Sequence, residues 1–184
     1  MRTVLERYYT QYYMLGEEQP SSKVEETEDH YVNQHTNGLA IIGVAPSHPV
    51  LKKEISKIEF QENSMNSEVS GIKKRGGFKL QKETIICKIY CSDNTQYNIR
   101  SCIKGKLLEI NKNLTENDEK HNNVNFSLLK DNSSTSGFIA IVEPLIQAKF
   151  IENPGLISYD DYHKIRNIPV TKGPVFLKDT SLED

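Results

Sequence analysis

Three cysteines are the residues of this chain best suited to metal or redox chemistry. Cys87, Cys91 and Cys102 lie in apolar, strand-like surroundings. A zinc site would need a fourth ligand from a distant histidine, and the spacing matches no zinc pattern built from short ligand pairs. An odd number of thiols in such surroundings favours reduced cysteines packed as small hydrophobic side chains. The sequence therefore predicts neither a metal site nor a disulfide framework.

Residue patterns typical of enzymes are missing from the sequence. There is no nucleophile elbow, no phosphate-binding glycine loop and no paired-histidine motif. The two histidines nearest each other, His30 and His35, are five residues apart. His48 precedes Pro49, and a residue before proline is pushed toward extended geometry, so we interpret His48 as a turn residue. We expect no catalytic activity and no cofactor.

The sharpest local feature is a basic turn, KKRGG at residues 73–77. Its glycines allow close backbone approach, and its three cations would attract an acidic protein surface or nucleic-acid phosphates. Two further lysines occupy the equivalent turn of the second half of the chain. An exposed corner kept soluble by its charge is the alternative interpretation. The candidate partner-binding residues are Lys73, Lys74, Arg75, Lys104 and Lys106.

Charge is distributed unevenly along the 184 residues. The net charge is −2, yet residues 50–110 hold twelve Lys or Arg against seven Asp or Glu. This basic centre is consistent with an acidic partner. The first apolar stretch, MRTVLERYYTQYYML, contains Arg, Glu and Gln, so it resembles neither a signal peptide nor a membrane span. We expect an intracellular protein without membrane insertion.

Tyrosines spaced four apart dominate the amino-terminal region. Over residues 3–14 they form two neighbouring helical rows, which is typical of an amphipathic helix. The rows are Val4, Tyr8 and Tyr12, and Leu5, Tyr9 and Tyr13. The sequence thus predicts an aromatic helix within residues 1–15 that docks on the core. The acidic stretch that follows, with Ser and Pro and no periodicity, predicts a linker over residues 16–29.

Short β-rich segments bounded by turn residues fill the region 30–150, which predicts one all-β domain. The predicted strands cover residues 39–44, 55–60, 76–80, 84–90, 96–101, 105–110 and 138–144. CSDNTQ (91–96) predicts a hairpin tip, because Asp and Asn tolerate its turn geometry. The polar stretch 115–135 predicts a loop insertion.

The carboxyl-terminal region predicts a second short helix. Ser158 is followed three residues later by Asp161, an arrangement typical of a helix N-cap, with Tyr159, Tyr162 and Ile165 on one face. We place this helix region at residues 151–168. Residues 169–184, with an acidic end, predict a flexible tail.

Two half-motifs recur along the chain, one at Gly71 and one at Gly105. A repeated glycine turn followed by a strand predicts two related halves of a flattened barrel. CIKGKLLEINKNL (102–114) followed by SGFIAIV (136–142) resembles the lipoyl and biotinyl carrier fold, most closely its glycine-cleavage H-protein variant. This resemblance implies a mainly β barrel-sandwich hybrid, here with short amino- and carboxyl-terminal helices. The carriers' modified lysine would correspond to Asn94, and since the tip has no lysine we do not expect a carrier.

A longer ordered set of phrases resembles the Abitram family of actin-binding transcription modulators. The phrases are ERYYTQYY (6–13), QHTNGLAIIGVAPSHPVL (34–51), VSGIKKRGG (69–77), CKIYCSD (87–93), SCIKGKLLEINKNL (101–114) and GFIAIVEP (137–144). The resemblance implies a non-enzymatic protein that binds monomeric or filamentous actin and regulates polymerisation and protrusions. It also implies a location in nuclear speckles and in the cytoplasm, including actin-rich protrusions.

An alternative remains open on the residues alone. Barrel-like β modules with basic corners also bind RNA or nuclear complexes, including nuclear-speckle proteins. Phosphate contacts make RNA binding fall steeply with salt, so salt dependence separates the two hypotheses.

Overall fold

Two antiparallel sheets contribute to one apolar core. The computed structural model describes residues 4–16, 27–61, 78–114, 126–131, 133, 135–145 and 155–170. The strands within these residues are β1 (Tyr9–Met14), β2 (His30–His35), β3 (Ala40–Val44), β4 (Ile55–Phe60), β5 (Lys79–Leu80), β6 (Ile85–Cys91), β7 (Gln96–Arg100), β8 (Gly105–Ile110), β9 (Ala140–Pro144) and β10 (Leu156–Ser158). The helices there are α1 (Val4–Tyr8), α2 (Ser127–Asp131) and α3 (Tyr159–Ile165), with short 3-10 helices at Pro49–Lys52 and Lys112–Leu114.

The larger sheet has seven strands in the order β10-β1-β2-β3-β9-β8-β5, and the smaller has three in the order β4-β6-β7. Burial alternates along the strands, as in β9, where Ala140 and Val142 are buried and Ile141 is half-buried. The buried faces of both sheets meet in the core. Its members include Val32, Ile42, Leu107 and Val142 from the large sheet and Ile58, Phe60, Ile89 and Ile99 from the small one. The predicted mainly β fold with two sheets is confirmed.

Each strand predicted from the sequence overlaps a strand of the structure. β4 and β8 have the predicted limits, and most of the others differ by one or two residues. The predicted strand 76–80 is β5, and residues 76–77 of that prediction lie outside the described residues. The hairpin at 91–96 is also present, with Asn94 at φ 64, a left-handed conformation that asparagine tolerates.

The predicted amino-terminal helix is wrong for most of its length. Only Val4–Tyr8 is helical, and Tyr9–Met14 forms β1 between β2 and β10. Aromatic residues and threonine favour strands, and tyrosines at positions 8, 9, 12 and 13 satisfy either period. Residues 9–14 form a strand because they pair with β2 on one side and with β10 on the other. The prediction that these tyrosines pack on the protein's own core holds for Tyr13, which is buried.

Two polar segments of the prediction are also corrected. The predicted linker ends in packed structure, because Thr27 and Asp29 are buried and β2 begins at His30. The predicted polar loop at 115–135 contains α2, whose Leu129 is fully buried in the main core. The apolar pair at 128–129 inside a polar stretch was the signal for this anchor. The predicted tail 169–184 lies outside the described residues except for 169–170.

A smaller aromatic core lies where β1, β2 and α3 meet. The rings of Tyr13 and Tyr162 stack with centroids 3.8 Å apart and planes within 4°. Tyr31 lies directly across from Gly43, and a Cβ at Gly43 would come within 2.5 Å of the Tyr31 ring. Only glycine therefore lets the ring lie across β3. From there the Tyr31 hydroxyl donates to the carbonyl oxygen of Ser133 at 2.6 Å.

A helix, α3, is present within the predicted region 151–168, but it covers only Tyr159–Ile165. Leu156–Ser158 forms β10 instead, and residues 151–154 lie outside the described residues. Ser158 caps α3, since its hydroxyl accepts the backbone N–H of Asp161 at 3.2 Å. Tyr162 is buried in the aromatic core, whereas Ile165 is exposed, so the predicted apolar face is buried only in part. Helix α3 also delivers Arg166, which follows its last residue, to a buried aspartate.

That aspartate is Asp29, and it connects its own segment to those of Gly16, Ser47 and Arg166. We call these four residues and Tyr162 the Asp29 clamp. Arg166 donates from Nε and Nη2 to the two carboxylate oxygens of Asp29, at 2.6 and 2.9 Å. The backbone N–H of Gly16 and the hydroxyl of Ser47 donate to the same carboxylate, at 2.8 and 2.7 Å. Tyr162 in turn donates its hydroxyl hydrogen to Ser47 at 2.7 Å. The clamp therefore connects Gly16, which follows β1, to the end of helix α3.

Candidate partner-binding surface

The three cysteines are placed as predicted, as buried thiols. Cys87, Cys91 and Cys102 lie in the main core and form no disulfide. Burial raises the pKa of the Cys87 thiol, and it raises that of Cys102 to about 12. A thiol with a raised pKa is a poor nucleophile. Among the described residues, no group of three or more His, Cys, Asp or Glu is arranged to hold a metal ion.

His48 has a larger role than a turn residue. Its Nδ1 accepts the backbone N–H of Val50 at 3.1 Å and so caps the first 3-10 helix, while the ring is fully buried. The ring meets those of His30 and Tyr97 edge to face, at centroid distances of 5.7 and 5.3 Å. This cluster joins the large sheet to the small one. The local sequence predicted the turn but not the partners.

His30 closes the same contact between the sheets. Its Nε2 accepts the backbone N–H of Arg100 at 3.3 Å. Burial lowers the pKa of His30 to about 4, against the opposing effect of a hydrogen bond to the backbone of Glu28. Burial also holds the pKa of His48 well below its ordinary value. Both rings are therefore neutral at pH 7 and support the fold rather than a site open to solvent.

The hairpin tip between β6 and β7 has an acid, Asp93, next to Asn94, the position that would correspond to the carriers' lysine. Asp93 Oδ1 accepts the backbone N–H of Thr95 at 3.0 Å, and Asp93 Oδ2 lies 2.9 Å from Lys53 Nζ. Hydrogen bonds from Thr95 and Lys53 hold the pKa of Asp93 well below its usual range. The neighbouring Asn94 offers an amide and no amine. Residues 91–96 of the tip thus include no lysine, the residue that forms a lipoyl amide.

The basic candidates are only partly placed by the structure. Lys73, Lys74 and Arg75 lie outside the described residues. Lys104 is exposed just before β8, and Lys106 is half-buried within it. Between them, a Cβ on Gly105 would come within 2.5 Å of the Glu143 carbonyl oxygen, so glycine is needed for close strand packing. The left-handed residue at this corner is Cys102, with φ 62, which corrects the prediction of a glycine turn.

A third lysine joins these two, and the sequence analysis missed it. Lys79 of β5 lies directly across from Lys106 of β8, and Glu143 of β9 lies on the other side of Lys106. Residues directly opposite each other project to the same face of a sheet. The three charged side chains therefore form one row at the β5 end of the large sheet. The signal was the strand register, which cannot be read from one isolated segment.

An exposed leucine stands next to this row. The backbone N–H of Leu145 donates to the Lys104 carbonyl oxygen at 3.0 Å, which continues the β8–β9 ladder by one residue. Strand alternation puts Lys104 on the face of Lys106 and Leu145 on that of Glu143. The Leu145 side chain is 76% exposed. We call Lys79, Lys104, Lys106, Glu143 and Leu145 the basic edge.

No helix within the described residues is long and apolar enough to cross a membrane. The three cations of the basic edge outnumber its one carboxylate, so this edge is positively charged.

Comparison with known structures gives the fold. A glycine cleavage system H protein from Mycobacterium marinum matches with a TM-score of 0.50 and 8% identity, over 79% of this chain and 94% of that one. At this identity the match shows the fold alone. It confirms the lipoyl-like architecture expected from the half-motifs.

Comparison with known sequences gives the family. No family model matches the chain. Protein Abitram of Dictyostelium discoideum is 61% identical over 184 residues, covering 100% of this chain and 99% of that protein. Protein Abitram of Homo sapiens is 34% identical over 169 residues, covering 89% and 86% of the two chains. Identity of this extent means that the chain belongs to the Abitram family.

Proposed function

We propose that this protein is a non-catalytic actin-binding protein that regulates actin polymerisation and cell protrusions. The observation that carries the proposal is its membership of the Abitram family, at 61% identity over the whole chain. Resemblance to the Abitram family is what implies actin binding. The proposal covers binding to monomeric actin, to filamentous actin or to both.

Features of the described residues support a binding role over a chemical one. The hairpin tip has Asp93 and Asn94 in place of a modifiable lysine, and the three thiols are buried. The buried histidines hold the two sheets together. The basic edge offers exposed cations and an exposed leucine, which suit an acidic protein surface.

Actin co-sedimentation of the full chain tests the proposal. We expect the protein to pellet with filaments or to bind monomers in a parallel assay, at low and at physiological salt. A variant with Lys73, Lys74 and Arg75 changed to Ser asks whether the predicted basic turn takes part. Absence of the wild-type protein from the pellet, together with no binding to monomers, would overturn the actin function.

RNA binding receives less support than actin binding. Base stacking on aromatic side chains is the usual means of sequence-tolerant RNA binding, and no aromatic residue belongs to the basic edge. Electrophoretic mobility shift with single-stranded RNA at two salt concentrations tests this alternative. RNA binding without actin binding would make RNA the better assignment.

We also propose two locations, nuclear speckles and the cytoplasm including actin-rich protrusions. The support is again family membership. Imaging of the tagged full chain beside a speckle marker and labelled actin tests this. A signal confined to any other compartment would contradict it.

A further inference from the structure

We propose that the basic edge is a docking surface for an acidic segment of a protein partner that carries one apolar side chain. The inference rests on the proposed function and adds to it the chemistry by which a partner such as actin would be recognised. It involves residues Lys79, Glu143 and Leu145 in addition to the two lysines predicted from sequence.

Charge is the first argument. Lys79 and Lys106 lie directly opposite each other on an antiparallel strand pair. Like charges in this position are destabilising. Glu143 lies opposite Lys106 on its other side, and exposed Lys104 adds a further cation two residues along β8. Three cations against one carboxylate give the basic edge a positive character that would attract carboxylates of a partner.

The exposed leucine is the second argument. Leu145 is more exposed than Tyr8, Ile165 and Val170, the other exposed large hydrophobic residues of the described chain. Its backbone hydrogen bond to Lys104 fixes it at the end of the β8–β9 ladder. An apolar side chain held in place among cations matches a partner segment that is acidic around one apolar residue.

The same surface is poorly suited to a nucleic acid. Phe78, the aromatic residue next to Lys79, packs against the main core and offers no stacking platform. Glu143 would repel phosphates, and Leu145 would remain uncovered by a sugar-phosphate backbone. Lysines on an outer strand also discourage pairing with other sheets, a role that needs no partner. If preventing such pairing were their only role, an acidic peptide would not bind at the basic edge.

Amide chemical shifts of the isotope-labelled full chain provide the direct test. One probe is a synthetic peptide of Glu and Asp with a single Leu, and the second replaces that Leu by Ser. We expect shifts concentrated at residues 79–80, 104–107 and 143–145, weaker binding at higher salt, and roughly tenfold tighter binding of the Leu peptide. No saturable shifts, or shifts centred elsewhere, would overturn the proposal.

Matched variants extend the test to actin. Leu145→Ser is compared with Ile165→Ser, and the pair Lys79→Ser and Lys104→Ser with the pair Lys52→Ser and Lys57→Ser. All six of these side chains are exposed, so thermal melting of each variant should match that of the wild type. We expect only the basic-edge variants to lose peptide and actin binding, by roughly tenfold.

The outcomes separate this inference from the actin function. If the wild type and the basic-edge variants bind actin equally and the peptide shifts are absent, the actin function stands and the docking surface is wrong. If the peptide binds at the basic edge and actin does not bind, the docking surface stands and actin is the wrong partner.

Discussion

Two aspartates of this protein each bind a cation, in opposite surroundings. The side chain of Asp29 is 0% exposed, and its partner Arg166 is 13% exposed. The side chain of Asp93 is 50% exposed, and its partner Lys53 is 25% exposed. Asp29 also accepts hydrogen bonds from Gly16 and Ser47, whereas Asp93 accepts mainly from its own turn.

The difference shows where an ion pair decides structure. A buried charge must be matched by donors, and removing one partner leaves the other charge uncompensated in the interior. Forming an exposed ion pair replaces contacts with water that have nearly the same free energy. Salt also screens the attraction between its two charges. The Asp29 clamp should therefore control folding, while the Lys53–Asp93 pair should only order the hairpin tip.

Breaking the clamp should give the largest effect. Asp29→Asn removes the carboxylate that the largely buried guanidinium of Arg166 contacts through two nitrogens, so we expect the free energy of unfolding to fall by about 3–5 kcal/mol. Urea titration followed by circular dichroism measures this. Asp93→Asn is the matched control, and equal losses in the two variants would refute the comparison.

A second clamp variant protects this test if Asp29→Asn does not fold. Arg166→Lys keeps the positive charge but loses the bidentate geometry, so its loss of stability should lie between that of the wild type and that of Asp29→Asn. A wild-type unfolding curve for Arg166→Lys would show that the two-pronged contact is dispensable.

Acid should reveal the next largest effect, at the buried and neutral rings of His30 and His48. His30 has a pKa of about 4 in the folded protein, against about 6.5 when unfolded. Between these values only the unfolded chain binds the proton, so stability is full above pH 6.5 and falls as the pH drops toward 4. The expected loss from His30 is about 3 kcal/mol, and His48 acts in the same direction.

Urea titrations at pH 7.5, 6.0 and 5.0 measure this dependence. His30→Gln is a control that cannot titrate, and its unfolding free energy should change less over this range than that of the wild type. A wild-type protein equally stable at pH 7.5 and 5.0 would contradict the neutral, buried state of both rings.

Removing one hydroxyl from the clamp's outer layer should give a smaller effect. Tyr162→Phe keeps the ring stacked on Tyr13 but removes both hydrogen bonds with Ser47, one donated to its Oγ and one accepted from its backbone N–H. We expect a loss of about 1–2 kcal/mol, as for one or two typical hydrogen bonds. Tyr162→Ala, which also removes the stacked ring, should cost several times more in the same titration. Equal losses would mean that the hydroxyl, and not the ring, dominates.

The exposed pair should give the smallest effect. Lys53→Met removes the cation at the hairpin tip, and we expect no change in unfolding free energy beyond experimental scatter. The chemical shifts of residues 92–96 should change, because Asp93 loses its partner there. Added salt should reproduce that change in the wild type and leave the clamp intact.

Sequence patterns predicted the central strands well because these strands bury one face. In β7 and β9 buried residues alternate with half-buried or exposed ones, so the period of two is visible in the letters. β2 was missed because its polar residues Asn33 and Gln34 are buried between β1 and β3, where pairing overrides their polarity. β1 was read as a helix because its tyrosine spacing suits both periods.

The candidate surface was predicted only in part, for a related reason. Lys104 and Lys106 could be chosen from local sequence, since they flank a glycine before a strand. Lys79 and Leu145 join them only through the register of β8 with β5 and β9. Register depends on the whole sheet, so a single sequence without structure does not give it.

The Asp29 clamp also sets an order of events during synthesis. Its carboxylate is made early, and its arginine follows 137 residues later in the chain. Until Arg166 leaves the ribosome, Asp29 must remain hydrated, so the segment around it has no reason to bury itself early. Chains that stop before residue 166 therefore lack the cation that contacts both oxygens of the buried Asp29 carboxylate. Burial of this region thus depends on synthesis having passed residue 166.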